Sequence, residues 1–274
     1  MASEHSAFAE YGCSDGPLLV YFHGAPGAPQ EAAVFDLPAK QYGLRVISFE
    51  RFTAPAGLST ESSFLALAAA IEREAAGRPV VLVGFSIGAF AAVQTCRYMT
   101  SRVSALHLIS AAAPLESGDF LPHMAGKAVF QLARNQPRLF VLLSYWQSLL
   151  ARWLPTALFR LIFASAQGAD KPLAATPAFQ AEIKQLLQHS FGRGLAGYMR
   201  DVRAYAQPWQ QSLAEISVTT HIWHGSADNW SPPAMADCLA QHLPKAERTI
   251  LPGLSHYSCL QAVAERICQQ LEDK

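Results

Sequence analysis

Charge is scarce in this chain: 15% of its 274 residues are charged, and Lys+Arg and Asp+Glu balance at 21 each. The balance lacks the basic footprint of a nucleic-acid binder, so no nucleic-acid partner is expected. Cysteine is scarce too. The five residues Cys13, Cys96, Cys238, Cys259 and Cys268 are odd in number and scattered, with no Cys-x-x-Cys pair. That pattern points to a reduced, cytoplasmic setting. There is no G-x-x-x-x-G-K-[ST] loop, no G-x-G-x-x-G fingerprint and no H-E-x-x-H pair. Neither a cofactor nor a metal is therefore expected. His221 and His224 stand three apart in a strand-like run, which places them on opposite faces and argues against a metal pair. Met1 to Gly12 has neither a basic nor an apolar region and does not read as a secretory signal. Internal repeats and low-complexity tracts are missing as well.

Long hydrophobic runs are also lacking. Leu139 to Leu154 comes closest, but Gln147 and Arg152 interrupt it, and Arg138 and Arg160 flank it. A spanning helix needs about 20 apolar residues, so no membrane span is expected. A buried or lid helix is the expectation, with an interfacial helix as the alternative.

What is present is a large apolar fraction, 51% of residues, in a chain long enough for one large domain or a core with an insertion. Pro17–Phe22, Leu44–Phe49, Pro79–Val83 and Val103–Ile109 are continuous apolar runs, as expected of strands covered on both faces. A helical pattern over Ser62–Ala75 separates two of them, with Ser59 or Thr60 as its cap. Strand alternating with helix predicts an α/β fold with a mostly parallel sheet and helices on both faces. The alternation stops after Pro114. Residues 115–213 read as a helical insertion, and 1–114 with 214–274 as the core. Strand character returns at Val218–Trp223 and Arg248–Leu251. Between these two runs a helix is expected with Ser231 as N-cap and Pro232 at its first position. Cys259–Leu271 reads as a closing helix.

Gly84-Phe85-Ser86-Ile87-Gly88 matches the G-x-S-x-G pattern, with a strand before it and a small-residue helix after it. The bland alternative is a capping Ser on an ordinary strand-to-helix turn. A serine hydroxyl needs an adjacent base to become a nucleophile. Among nine histidines, His256 follows the last strand run, in Pro252-Gly253-Leu254-Ser255-His256. Asp228, just beyond Val218–Trp223, would orient that imidazole, unless it merely caps a turn. Glu116 or Asp119 is the reserve acid. The order Ser86, Asp228, His256 suits this chemistry. The backbone N–H groups of Ala25 and Ile87 would hold an oxyanion. The His23 side chain is expected to be structural.

These segments resemble an α/β-hydrolase-fold serine hydrolase with a helical cap, esterase-like, over nearly the whole chain. The four carriers are His23-Gly24-Ala25-Pro26-Gly27, Gly84–Gly88, Gly225-Ser226-Ala227-Asp228 and Gly253-Leu254-Ser255-His256. Phe49–Ser59 resembles a D-R-P-G-x-G-x-S loop of that family, with Glu50 in place of Asp and extra residues inserted. Leu254-Ser255 departs from the family's G-x-G-H. Early strands of the family find little room in the short N-terminus. The resemblance implies acyl-enzyme chemistry on carboxylic esters. C–C bond hydrolases and cofactor-free haloperoxidases or perhydrolases share the same triad and stay open. Dehalogenases and epoxide hydrolases use Asp where Ser86 stands. A non-catalytic ligand-binding protein on the same scaffold is the reading from another class. The expected partner is a small molecule with an apolar portion, because Phe140, Tyr145, Trp146, Leu149, Leu150, Trp153, Leu158, Phe159 and Phe163 crowd the insertion, although most of these are expected simply to pack. A homodimer is left open.

Overall fold

The apolar runs of the sequence become strands buried on both faces. The computed structural model describes residues 8–53, 59–99 and 102–272. Its strands are β1 (Phe8–Gly12), β2 (Leu18–Phe22), β3 (Arg45–Phe49), β4 (Val80–Phe85), β5 (Val103–Ile109), β6 (Thr220–Gly225) and β7 (Ala246–Leu251). They form one seven-stranded sheet in the order β1-β3-β2-β4-β5-β6-β7. β1 pairs antiparallel with β3, and every other pair is parallel. Successive side chains point to opposite faces. Leu18, Val20 and Phe22 thus enter one core, and Leu19 and Tyr21 the other.

Strand order reverses around β2. From β2 the chain goes to β3 on one side, then crosses to β4 on the other. Loops leaving β2 and β4 therefore diverge at the carboxyl ends of neighbouring strands, where open α/β sheets bind ligands. Edge strand β1 went unread in the sequence because its residues are half-buried or exposed.

The helices of the first half are α1 (Asp36–Gln41), entered from a 3-10 turn at Pro29–Phe35, α2 (Thr60–Ala75) and α3 (Gly88–Cys96). Ser59 caps α2, its side chain accepting from Ser62 N at 3.1 Å. Between β5 and β6 lie α4 (Lys127–Asn135), α5 (Pro137–Trp153), α6 (Pro155–Ile162), α7 (Asp170–Leu173), α8 (Pro177–Phe191), α9 (Leu195–Tyr205) and α10 (Gln211–Ala214). Among the described residues this block contains no strand. Proline opens α5, α6 and α8, where its missing N–H costs nothing and its fixed φ suits the first turn. α11 (Pro233–His242) and α12 (His256–Glu272) complete the chain.

Two expectations shift here. Pro232, not Ser231, is the residue before α11, with no side-chain cap. Ser231 is withdrawn because its backbone N–H donates to Asp228 and its carbonyl accepts from His224. The closing helix starts at His256, three residues earlier than its apolar pattern, because a buried carboxylate captures its first amides. In addition, Ala54–Leu58 of the Phe49–Ser59 loop lie outside the described residues. No helix among the described residues is long and apolar enough to cross a membrane.

Candidate active site

Ser86 stands at the turn from β4 into α3 with φ of 55°. A non-glycine residue is held there only when its surroundings fix it. Three backbone bonds do so: Ser86 N donates to Ile109 O at 3.0 Å, and Ser86 O accepts from Ala89 N at 3.1 Å and Ala112 N at 3.2 Å. From Val80 to Cys96 every residue but Ser86 is buried. The flanking glycines answer to close approach. A Cβ on Gly84 would stand 2.6 Å from Ala89 Cα, and one on Gly88 only 2.0 Å from Phe22 O. Alanine at Gly88 would thus push α3 off the end of β2.

His256 opens α12, buried against Phe85 with ring centroids 4.7 Å apart. Its Nδ1 lies 2.8 Å from Asp228 Oδ2. The other oxygen, Asp228 Oδ1, accepts from Trp230 N at 2.8 Å and Ser231 N at 3.0 Å. Burial works to raise the Asp228 pKa, but the His256 charge and hydrogen bond hold it below the usual carboxylate value. For His256, burial works to lower the pKa, and the Asp228 carboxylate more than offsets it, leaving the imidazole above its ordinary value. Ser110, at the end of β5 with φ of 45°, donates its hydroxyl to His256 O at 3.0 Å. Among the described residues Ser86 Oγ has no hydrogen-bond partner.

The acid and histidine loops meet backbone to backbone. A Cβ on Gly225 would sit 2.4 Å from Leu254 O and 2.5 Å from Ser255 O. Ala227 N donates to Leu254 O, and Gly253 N to Ser226 Oγ, both at 2.9 Å. Leu254-Ser255 fits this contact because the loop presents carbonyls rather than side chains.

The loop after β2 lies beside Ser86: a Cβ on Gly24 would be 3.6 Å from Ser86 Cβ. Gly24 N donates to Glu31 Oε2 at 2.7 Å, and Tyr21 OH to the same oxygen at 3.0 Å. Burial pushes the Glu31 carboxyl up to about 7. His23 is buried, with Nδ1 2.9 Å from Gly24 O and its carbonyl accepting from Arg51 Nη1 at 2.9 Å. Burial first, then Arg51, pushes its pKa well below the ordinary value, which suits the structural role expected of it. Arg51 is itself buried and ion-paired to Asp201 of α9. Glu50 pairs with His189 of α8 and accepts from Phe52 N at 2.9 Å. Ile87 is the N-cap residue of α3, so its N–H belongs to the helix's unsatisfied first turn.

The reserve acids fall elsewhere. Glu116 Oε1 accepts from Trp209 N at 2.6 Å and Gln210 N at 2.7 Å, a structural tie, and Asp119 is exposed. Asp170 is one residue that sequence reasoning missed; the buried Glu31 is another. Asp170 is fully buried in α7, and its carboxylate accepts from Tyr257 N at 3.0 Å and Ser258 N at 2.7 Å. It therefore caps the helix that begins with His256. A ring cluster completes the surroundings: Trp230 stacks on His256 at 5.5 Å, and Phe163 packs on Trp230 at 5.4 Å and Tyr257 at 5.6 Å. Of the insertion's bulky residues, Phe140, Leu158, Phe159 and Phe163 are buried, whereas Tyr145, Trp146, Leu149 and Trp153 face solvent. The described residues contain no group of His, Cys, Asp or Glu that would hold a metal.

A mostly parallel sheet with a serine at the β4 turn and an Asp–His pair at the ends of later strands defines the α/β-hydrolase architecture. The sequence model of the alpha/beta hydrolase family matches residues 19–269, and the chain belongs to that family. No curated protein sequence matches significantly. Among solved structures it resembles a thermophilic esterase from Thermogutta terrifontis at 18% identity, covering 97% of this chain and 91% of that one, with TM-score 0.66. An enol-lactonase from Burkholderia xenovorans LB400 superposes with TM-score 0.69 at 18% identity, over 97% and 95% of the two chains. A bromoperoxidase from Bacillus anthracis does so with TM-score 0.69 at 16% identity, over 96% and 92%.

Proposed function

We propose that the chain is a serine hydrolase of carboxylic esters with an apolar portion, working through an acyl-enzyme. The observation that carries this reading is the 2.8 Å contact between His256 and Asp228, on the loops after β7 and β6, with the His256 ring packed 4.7 Å from Phe85, the residue before the strained Ser86. Ser86 Oγ attacks the acyl carbon while neutral His256 accepts its proton through Nε2. The tetrahedral oxyanion is held by the Ala25 and Ile87 amides. His256 then returns the proton to the leaving alcohol. Water repeats the sequence on the acyl-enzyme and frees Ser86 with the acid product. Asp228 stays ionised throughout and fixes the imidazole with its Nδ1 proton inward. Residues 115–213 serve as the cap. The Phe163, Trp230 and Tyr257 rings beside His256 support an apolar acyl or aryl group there.

A fluorophosphonate probe and a panel of aryl esters, thioesters and amides test the reading. Stoichiometric labelling at Ser86 with ester turnover is expected, and Ser86→Ala should abolish both. Asp228→Asn should slow turnover on the order of 10⁴-fold. Folded wild-type protein that neither labels nor turns over any ester refutes the enzyme and leaves a binding protein.

A further inference from the structure

The outer face of α5 and α6 plays no part in the chemistry above. Ten large apolar side chains are exposed among the described residues, and eight of them lie between Leu139 and Leu161. Leu139, Leu142, Trp146, Leu149 and Trp153 follow a three-four spacing, which sets them in one stripe along α5. Their exposure runs from 47% at Trp146 to 68% at Trp153. The buried residues of the helix, Phe140, Ser144, Gln147 and Ala151, occupy the opposite side. At the end of α5 the stripe continues onto α6, where Trp153, Leu154, Ala157, Arg160 and Leu161 surround an open depression. Scattered exposed apolar residues need no explanation, but a contiguous stripe of this size marks a contact surface.

Charge says what the stripe contacts. From Phe120 to Ala169 the sequence holds Lys127, Arg134, Arg138, Arg152 and Arg160, and no Asp or Glu. All five cations are exposed. Arg138, Tyr145 and Arg152 are spaced seven apart and so line one edge of the stripe, and Arg152 lies over the Trp153 ring at 5.0 Å. A whole chain of zero net charge thus concentrates cations and aromatic residues in one acid-free segment, with Arg138, Arg152 and Arg160 on the two helices that carry the stripe. Two copies meeting through this face would bring like charges together with no carboxylate from the segment to pair them. We infer that the α5–α6 face docks flat on an anionic lipid surface, with the Leu and Trp stripe in the interface and the arginines against phosphate headgroups.

The placement has a bearing on the site. Phe159 is on the buried side of the same α6 and stacks at 4.6 Å on Phe163 just beyond its end, and Phe163 packs on Trp230, which stacks on His256. The docking face is therefore one helix away from the apolar surroundings of the histidine. The inference rests on surface composition and stands whether or not Ser86 is a nucleophile.

Cosedimentation of the full chain with vesicles tests it. Vesicles of equal parts phosphatidylcholine and phosphatidylglycerol should bind the protein roughly tenfold or more tightly than pure phosphatidylcholine. Trp fluorescence should shift to the blue on binding. The paired substitutions Leu149→Ser with Trp153→Ser, and Arg138→Glu with Arg152→Glu, should each abolish binding. All four positions are exposed, so thermal unfolding and fluorophosphonate labelling in solution should match wild type. Equal binding to both vesicle types, binding that survives both pairs, or a wild-type dimer that the serine pair dissociates without any vesicle binding would overturn the inference.

Discussion

Replacing Glu31 by Gln should make stability less dependent on pH. Glu31 is 2% exposed, and its Oε2 already accepts from Gly24 N and Tyr21 OH. Oε1 is buried with no partner among the described residues, so an ionised carboxylate is poorly served there. Burial lifts its pKa from 4.5 to about 7 in the folded chain. The folded state therefore keeps a proton that the unfolded chain gives up. The associated stability is complete below the unfolded value and is lost as pH rises through about 7. A tenfold change in proton affinity is worth about 1.4 kcal/mol, so the wild type should lose about 2.5 kcal/mol from this group between roughly pH 5 and pH 8.5. Gln imitates the protonated acid, with its oxygen on the two donors and its amide where Oε1 was. Every other titrating group is common to both proteins, so the difference between their melting curves isolates Glu31. For a chain of this size the gap should widen by about 5–10 °C across that range, in favour of the variant at high pH. Thermal unfolding followed by circular dichroism at both ends measures it. A difference that stays constant with pH, or that turns against Gln at high pH, refutes the reasoning.

The rate of fluorophosphonate labelling at Ser86 should rise with pH through a single step above the ordinary histidine value, because His256 must be neutral to act as base and Asp228 holds its pKa up. A step below pH 6.5 contradicts the pairing. Asp170→Ala leaves two amides of the first α12 turn without their acceptor, which should cost about 3 kcal/mol and lower the melting temperature by about 6–12 °C. Labelling should slow at least as much as the His256 backbone loosens, and Asp170→Asn, which keeps an acceptor, should fall between. A melting temperature within a degree of wild type sinks this role for Asp170.

Much of the candidate site was legible because its signals are local. Ser86 sits in a pentapeptide whose glycines each meet a neighbouring backbone, and Asp228 and His256 follow shortly after two strand runs, β6 and β7. The alternation of strand and helix predicted the mostly parallel sheet, but not the order of its strands. Asp170 was invisible because its partners are backbone amides 87 and 88 residues away, which leave no side-chain pattern. Glu31 was missed for a similar reason: in the sequence it is one more acidic residue of a helical turn, and only the return of Tyr21 and Gly24 to it shows that it is buried. β1 escaped because a half-exposed edge strand has no continuous apolar run. In the insertion, composition identified helices, but not which aromatic residues face inward. Exposed Trp146 and Trp153 and buried Phe159 and Phe163 read alike until the helices are packed.

Gly168, Ala169 and Asp170 make the insertion hard to exchange as a module. A Cβ on Gly168 would stand 2.6 Å from Gly253 O and 2.7 Å from Ala227 Cβ, and Ala169 N donates to Gly253 O at 3.0 Å. With Asp170 on the amides of α12, this short stretch is stitched into both the acid loop and the histidine loop. A chimera that grafts a foreign block between β5 and β6 inherits an α12 without its cap. Swaps meant to change substrate preference should therefore carry residues 168–170 with the recipient scaffold, not with the donor.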